Sequence, residues 1–374
     1  MTRAPRPRRR ALLRAFGYSL LPLALLLREL AFGWPHWAEQ GYGQWLYPQV
    51  ARVMGSVNNR VPFSLAEGAG VLLMLAFLVY LVRQLARSRA GPRRATIFLL
   101  EVASFTWVAA GIGALAFLFL WGFNYARPSL AERMRLPVDA VEVREVLDAG
   151  RRCAVRVTDL HRSLGAPPGE PTRLPMDLET LNDAIDLALG ALALPGDRLV
   201  YPTSRAKPLA ASRLLSYLGL SGIFVAFTGE PSINALVPDA SLPMVVAHEK
   251  AHQRGITDEG EANLVAFLAC AGAEEHPYLR YAAYLNAASR LLAASSVHLP
   301  EEAGSAWEEL GEGPKRDLAA IREFWSRYRG RVSEAADRLN DTYLRSFGVR
   351  EGVKSYERVV ELLVALDREG RLIQ

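Results

Sequence analysis

The chain has 374 residues, 51% of them hydrophobic, a mean hydropathy of +0.08 and a formal charge of +5. That apolar content is high for a water-soluble protein of this length and points to a membrane portion, and the length leaves room for two or more domains. The charge is split: residues 1–126 carry 14 Arg and no Lys against 4 Glu, a net of +10 that leaves −5 for the remainder. The arginines flank apolar runs and do not alternate with aromatics on one face, so the pI near 9.3 excludes a nucleic-acid footprint and predicts no nucleic-acid partner.

A basic segment, TRAPRPRRR, precedes the first apolar run, at about residues 15–34. A short basic head before an apolar run also fits a signal peptide, but no clear small-x-small cleavage site follows, and Arg28 can snorkel to the interface if the run spans. A second run covers about 61–82 and a third about 102–123, the third free of charge and ending in Trp121, Phe123 and Tyr125 like an interfacial aromatic belt. The N-terminus and the Arg83–Arg94 loop are short and strongly positive, and the 35–60 connection holds only Arg52 and Arg60, so the first two belong in the cytoplasm. Three transmembrane helices then place residues 127–374 outside the cell membrane. The expectation is a multi-pass protein of the bacterial inner membrane, with residues 1–126 as membrane domain. Glu67 and Glu101 lie near predicted span ends, which favours wet interfacial positions over proton relays. Ser64–Gly70 offers small residues for close helix packing.

Beyond the spans, the sequence through His161 leads into an amphipathic helix, with His161 a surface or capping histidine. A Pro- and Gly-rich link at Ala166–Pro175 precedes a helical pattern at Leu178–Leu194. Tyr217–Leu236 changes character, with β-branched and aromatic residues between glycines, and predicts one strand or a hairpin. An edge strand there could pair with a substrate backbone, or merely cover the helices that follow.

Those helices hold the only dense cluster of metal-competent side chains, in AHEKAHQRGITDEGEANLVAFLAC, residues 247–270. His248 and His252 are four apart, so on a helix they project from one face at a spacing that grips one ion. Glu249 completes an HExxH pattern, in which the carboxylate is no ligand but the general base that deprotonates the attacking water. Ser241 as cap and Pro243 in the first turn predict the start of this helix, and Gly255 its end. Asp258 then caps a second helix, making an antiparallel hairpin whose start supplies the third ligand. Glu259 and Glu261 both qualify. Glu259 is preferred because it shares a helix face with Asn263, whose amide can bond a ligand histidine, while Glu261 can serve a capping box with Asp258. Two histidines, one glutamate and an open position make a catalytic zinc set, one Zn2+ per chain.

Pro277–Ser295 reads helical, and two or three amphipathic helices complete the chain without a fourth span. His276, Tyr343 and Tyr356 are candidates to steady an oxyanion, and the sequence does not rank them. Cys153 and Cys270 permit a disulfide in an oxidising compartment, though a buried free thiol fits Cys270 on its apolar helix equally well.

The strings LLSYLGLSGIFVAFTGEPSIN, PDASLPMVVAHEKAHQRG and DEGEANLVAFLAC, with WGFNYARPSL before and YLRYAAYL and GVKSYERVVELL after, resemble the bacterial membrane family known as domain of unknown function 3810. The resemblance covers most of the chain from the third span onward. It implies three N-terminal membrane helices and a gluzincin-like zinc site, but no substrate. Glu259, Ala262 and Asn263 are also similar to the ExxAD of membrane zinc peptidases, with Asn263 in place of aspartate, which implies Glu259 as third ligand. The fold expected is mainly α, three transmembrane helices plus a mostly helical zincin-like domain with a short strand or hairpin. The function expected is a membrane-anchored zinc metallopeptidase acting on a peptide or protein of the cell envelope. Its rival is a catalytically silent, zinc-stabilised envelope receptor or scaffold, and a transporter component is disfavoured by the few polar residues within the spans.

Overall fold

The computed structural model describes residues 7–88, 92–192, 194, 204–346 and 358–374. It is mainly helical. Helix α1 (Pro7–Gly33) is followed by the single turn α2 (Pro35–Trp37), a π-helical stretch at Ala38–Leu46, α3 (Tyr47–Asn58), α4 (Leu65–Ser88) and α5 (Pro92–Leu120). Within them Ala15–Gly33, Leu65–Ala86 and Thr96–Leu120 are long and apolar enough to cross a membrane. The second starts four residues later than expected because Ser64 caps it, its Oγ accepting from Glu67 N–H at 3.1 Å. The third ends earlier, because the chain leaves the helix at Trp121 and turns through a 3₁₀ segment, Gly122–Ala126. Helices α1 and α5 touch closely: a Cβ on Gly111 would stand 2.7 Å from the backbone nitrogen of Leu21. Arg3, Arg6 and Arg89, on which the expected orientation partly leans, lie outside the described residues.

The 35–60 connection is no plain link. Its π-helix buries Tyr42 against Phe123 and Tyr47, with ring centroids 5.3 and 5.8 Å away. Glu39 is buried with it and pairs with Arg127 at 2.8 Å.

After α6 (Leu130–Met134), α7 (Val143–Leu164) and α8 (Leu178–Ala191) come β1 (Lys207–Pro208), α9 (Ser212–Tyr217), β2 (Gly222–Val225) and β3 (Glu230–Ile233). The expected helix at 178–194 thus stops at Ala191, and Ala193 lies outside the described residues. The 217–236 stretch is a hairpin, with Gly222 opposite Ile233 and Val225 opposite Glu230, and β1 adds in parallel on the far side of β3. Strand β2 is therefore an edge. The metal hairpin follows as α10 (Leu242–Gln253) and α11 (Glu259–Ala271), then α12 (Pro277–Ser296), α13 (Pro300–Glu309), α14 (Glu312–Ser326), α15 (Arg331–Ser346) and α16 (Arg358–Arg368). The tail thus breaks into four helices, more than expected, at Pro300, Gly311 and Gly330. Helix α11 is buried on every side from Gly260 to Ala271, which its apolar sequence allows. Around it pack α8, α10, α12 and α16, with α7 laid against α12, as one core. Cys153 and Cys270 are both buried and free. His161 stacks on Tyr281 at 5.7 Å, within the α7–α12 layer.

One buried ion pair joins the sheet to the span α4. Lys207 Nζ meets Glu230 Oε1 at 2.9 Å and also donates to the carbonyls of Asn58 and Phe63. Glu230 accepts from Ser64 Oγ and from the N–H groups of Leu65 and Ala66, an anion on a helix N-terminus. Removing one partner strands the other in a dry site, so Glu230→Ala is expected to destabilise by about 3–5 kcal/mol. Thermal unfolding in detergent reads this directly, and a Tm within a degree of wild type would refute it.

Candidate metal centre

Helix α10 starts from a 3₁₀ turn, Asp239–Ser241, with Pro243 in its first turn. Ser241 occupies the cap position, but its side chain makes no cap bond, contrary to expectation, since the preceding turn already leads into the helix. At the far end Gly255 has φ +86°, the left-handed value that lets the chain reverse. Asp258 caps α11 as expected, its Oδ1 accepting from Glu261 N–H at 2.9 Å.

The hairpin brings together His248, His252 and Glu259, whose ligand atoms all lie within 4.8 Å of one another. The Nε2 atoms of the two histidines are 3.0 Å apart, and Glu259 Oε2 lies 3.1 Å from His248 Nε2 and 3.5 Å from His252 Nε2. Around a tetrahedral ion with bonds of about 2.0–2.1 Å, ligand atoms stand roughly 3.3 Å apart. The three donors fit that triangle. His252 Nδ1 lies 2.7 Å from the carbonyl of Ile256, which fixes the tautomer that leaves Nε2 as the ligand. Glu259 Oε2 is buried and faces the two imidazoles with no further partner.

Glu261 is not in the cluster. Its carboxylate turns to the start of α6 and accepts from Ala131 N–H at 3.2 Å, so only half of the expected capping box forms. Asn263 also differs from expectation. Its Nδ2 donates to the Glu259 carbonyl at 2.8 Å, which braces the turn carrying the ligand and makes no bond to either histidine. His276 precedes α12 and lines neither cavity described below; the side chain of Tyr343 and all of Tyr356 lie outside the described residues.

Burial governs the protonation of the site. It pushes Glu249 up to about 8, which the Glu259 carboxylate reinforces and His252 opposes. It holds His248 below its ordinary range. At His252 burial also acts downward, but the Glu259 carboxylate outweighs it and sets the ring at about 9. Burial would raise Glu259, yet the two histidines keep it well below the carboxylate range. A cation held by the three would replace the His252 proton.

Two cavities meet at Leu220, Gly222, His248 and Glu249. The larger, about 690 Å³, is bounded by the C-terminal halves of α1 and α5, by Trp121 and by β2. The other, about 520 Å³, is more polar and lined by Ser221, Asn263, Asn286, Ser289 and Arg290. A Cβ on Gly222 would stand 2.5 Å from Glu249 Oε1, so the edge strand lies directly against that carboxylate. Neither Gly222 nor Arg290 stands out in the sequence: one is a glycine among several, the other one arginine on an amphipathic helix.

Elemental analysis of the detergent-purified full chain should find about one divalent ion per chain. His248→Ala and Glu259→Gln should lose it, and Glu261→Gln should keep it. A wild type without metal, or loss from Glu261→Gln equal to that from Glu259→Gln, would refute the assignment.

Residues 42–364 match the model of a family described as "Protein of unknown function (DUF3810)". No curated protein and no solved structure matches the chain. The family match takes in the second half of the π-helix, two of the three apolar helices, the sheet and the whole hairpin of α10 and α11. The chain belongs to the DUF3810 family, whose function is unknown.

Proposed function

We propose that the protein is a membrane-anchored zinc-dependent peptidase, with its metal site on the outer side of the cell membrane. The observation that carries this reading is a buried carboxylate, Glu249, beside a three-donor cluster in which it is not itself a donor. A scaffold has no use for such a group, and a hydrolase requires one. The orientation follows from the arginines of the N-terminus and the 83–94 loop, which favour the cytoplasmic side.

His248, His252 and Glu259 would hold the ion. Zinc in such a site supplies Lewis acidity, polarising a carbonyl and lowering the pKa of a water. Glu249, beside the cluster and not one of its donors, is the carboxylate that would accept the water's proton. Hydrolysis breaks the C–N bond, places the water oxygen on the carbonyl carbon, and ends when Glu249 passes its proton to the departing amine. Strand β2 presents a free edge at the site, where an extended substrate can pair with it. Arg290 lies across the polar cavity, close enough for its charge to weigh against protonation of His248, and offers a cation to the substrate carbonyl or carboxylate.

Glu249→Gln should retain metal and fold and lose peptide cleavage by a factor of roughly 10²–10⁴, the range for removing a general base. A peptide-cleavage screen with metal content measured in parallel checks this. Metal bound with no Glu249-dependent cleavage would leave a zinc-stabilised scaffold as the reading. Gly222→Ala should displace the Glu249 carboxylate and lower kcat with little change in Tm, because the neighbour that must move is a side-chain end. Unchanged kcat in that variant would show that β2 does not set the base.

A further inference from the structure

The larger cavity is unusual in its walls. Ala24, Leu25 and Arg28 come from α1, and Gly113, Ala114, Phe117 and Leu118 from α5, all within stretches apolar enough to span a bilayer. Ala24 lies nine residues before the end of α1 and Gly113 seven before the end of α5. At 1.5 Å per residue these are depths of about 13 and 10 Å. Half of a hydrocarbon core about 30 Å thick is roughly 15 Å. The cavity therefore runs from the metal cluster into one leaflet and stops near its middle.

What fills it must satisfy two constraints. A membrane-spanning helix is about 30 Å long, whereas the cavity stops about 13 Å from the helix ends, so no spanning helix fits it. An extended peptide can pair with β2 beside the cluster, but deeper in the cavity it would carry its N–H and C=O groups past walls of Ala, Leu, Gly and Phe from α1 and α5, each group unsatisfied at a cost of several kcal/mol. An acyl chain has no such groups. Arg28 is the single charged residue among these span positions, and it lies five residues, about 7.5 Å, from the helix end, above the apolar depth of the cavity.

Resting on the peptidase reading, we infer that the substrate is a lipid-anchored peptide whose acyl chain lies in this cavity. Its peptide part crosses the metal cluster into the polar cavity of Asn286 and Arg290. Membrane anchoring thereby delivers the scissile bond to Glu249, and the chain, more than any side chain of the peptide, selects the substrate.

The test uses full-length Glu249→Gln, which leaves the probe intact, in phosphatidylethanolamine–phosphatidylglycerol nanodiscs. The probe is an N-palmitoylated heptapeptide with a diazirine near the end of its chain. Photolabelling should map to residues 24–28 and 113–118, and excess unlabelled palmitoyl peptide, but not the bare heptapeptide, should suppress it at least fivefold. Gly113→Phe, at a position where a Cβ meets no atom within 4 Å, should lower labelling at least fivefold. Gly70→Phe on α4, equally unobstructed and outside the cavity, should not. Labelling spread evenly over the exposed face of α4 at Leu72 and Leu73, or unaffected by Gly113→Phe, would mean bulk lipid contact and overturn the inference. Wild-type cleavage separates the two readings. Confined labelling without cleavage of the palmitoyl peptide retains the lipid site and sinks the peptidase; equal cleavage of acylated and bare peptide with scattered labelling does the reverse.

Discussion

The last carbonyls of the metal helix are the constraint on which this structure turns. A helix end leaves its final C=O groups without intrahelical partners, and here that end is buried. Trp121 Nε1 donates to the His252 carbonyl at 2.9 Å, and the Tyr47 hydroxyl donates to the Gln253 carbonyl at 2.6 Å. Both donors come from segments that flank the apolar helices. The turn carrying the second histidine is thus capped by residues that flank the apolar helices, which fixes the His248, His252 and Glu259 cluster against the ends of those helices. Loss of the Tyr47 hydroxyl would leave the buried Gln253 carbonyl unsatisfied, whereas the His252 carbonyl would keep the Gly255 N–H at 2.9 Å.

The same joint is reinforced by charge. Lys207 and Glu230 tie the sheet to the start of α4, and Glu39 and Arg127 tie the π-helix to the turn after α5. On the opposite face of α10, Lys250 and Arg254 both reach Asp186 of α8, at 2.8 and 2.7 Å. Burial pulls Lys250 down to about 8 against the attraction of Asp186. Two cations on one carboxylate fix the rotation of α10 about its axis, and that rotation decides which side His248 and His252 face. Buried pairs of this kind set geometry better than they add stability.

Much of the site is legible from local pattern, because it is local. The i, i+4 histidines, Pro243, Gly255 at positive φ and Asp258 as cap all act within a few residues, and the three apolar helices follow from composition over some twenty. The hairpin at 217–236 also lies where β-branched and aromatic residues cluster between glycines. What escapes a reading of the chain is what depends on distant partners. Nothing near Glu261 announces that Ala131, far back in the sequence, will take its carboxylate and so remove it from the ligand choice. Asn263 satisfies a backbone carbonyl of its own helix before it can reach an imidazole, the usual competition for short polar side chains. The 35–58 stretch looks like a connection because its aromatic pattern gains meaning only when Phe123 and the metal helix pack on it.

The asymmetry of the two cavities bears on chemistry as well as on access. Glu249 lies at their seam, with span residues and β2 on one side and Ser, Asn and Arg side chains on the other. A carboxylate against an apolar wall loses hydration on that side, which raises its basicity and strengthens every charge interaction it makes. The second cavity, where Asn286 and Arg290 lie, is the more polar side of that carboxylate. The hydrophobic wall sets the dielectric around the Glu249 carboxylate. One glycine, Gly222, keeps the seam open, since any side chain there would press on the base from the strand that forms the wall.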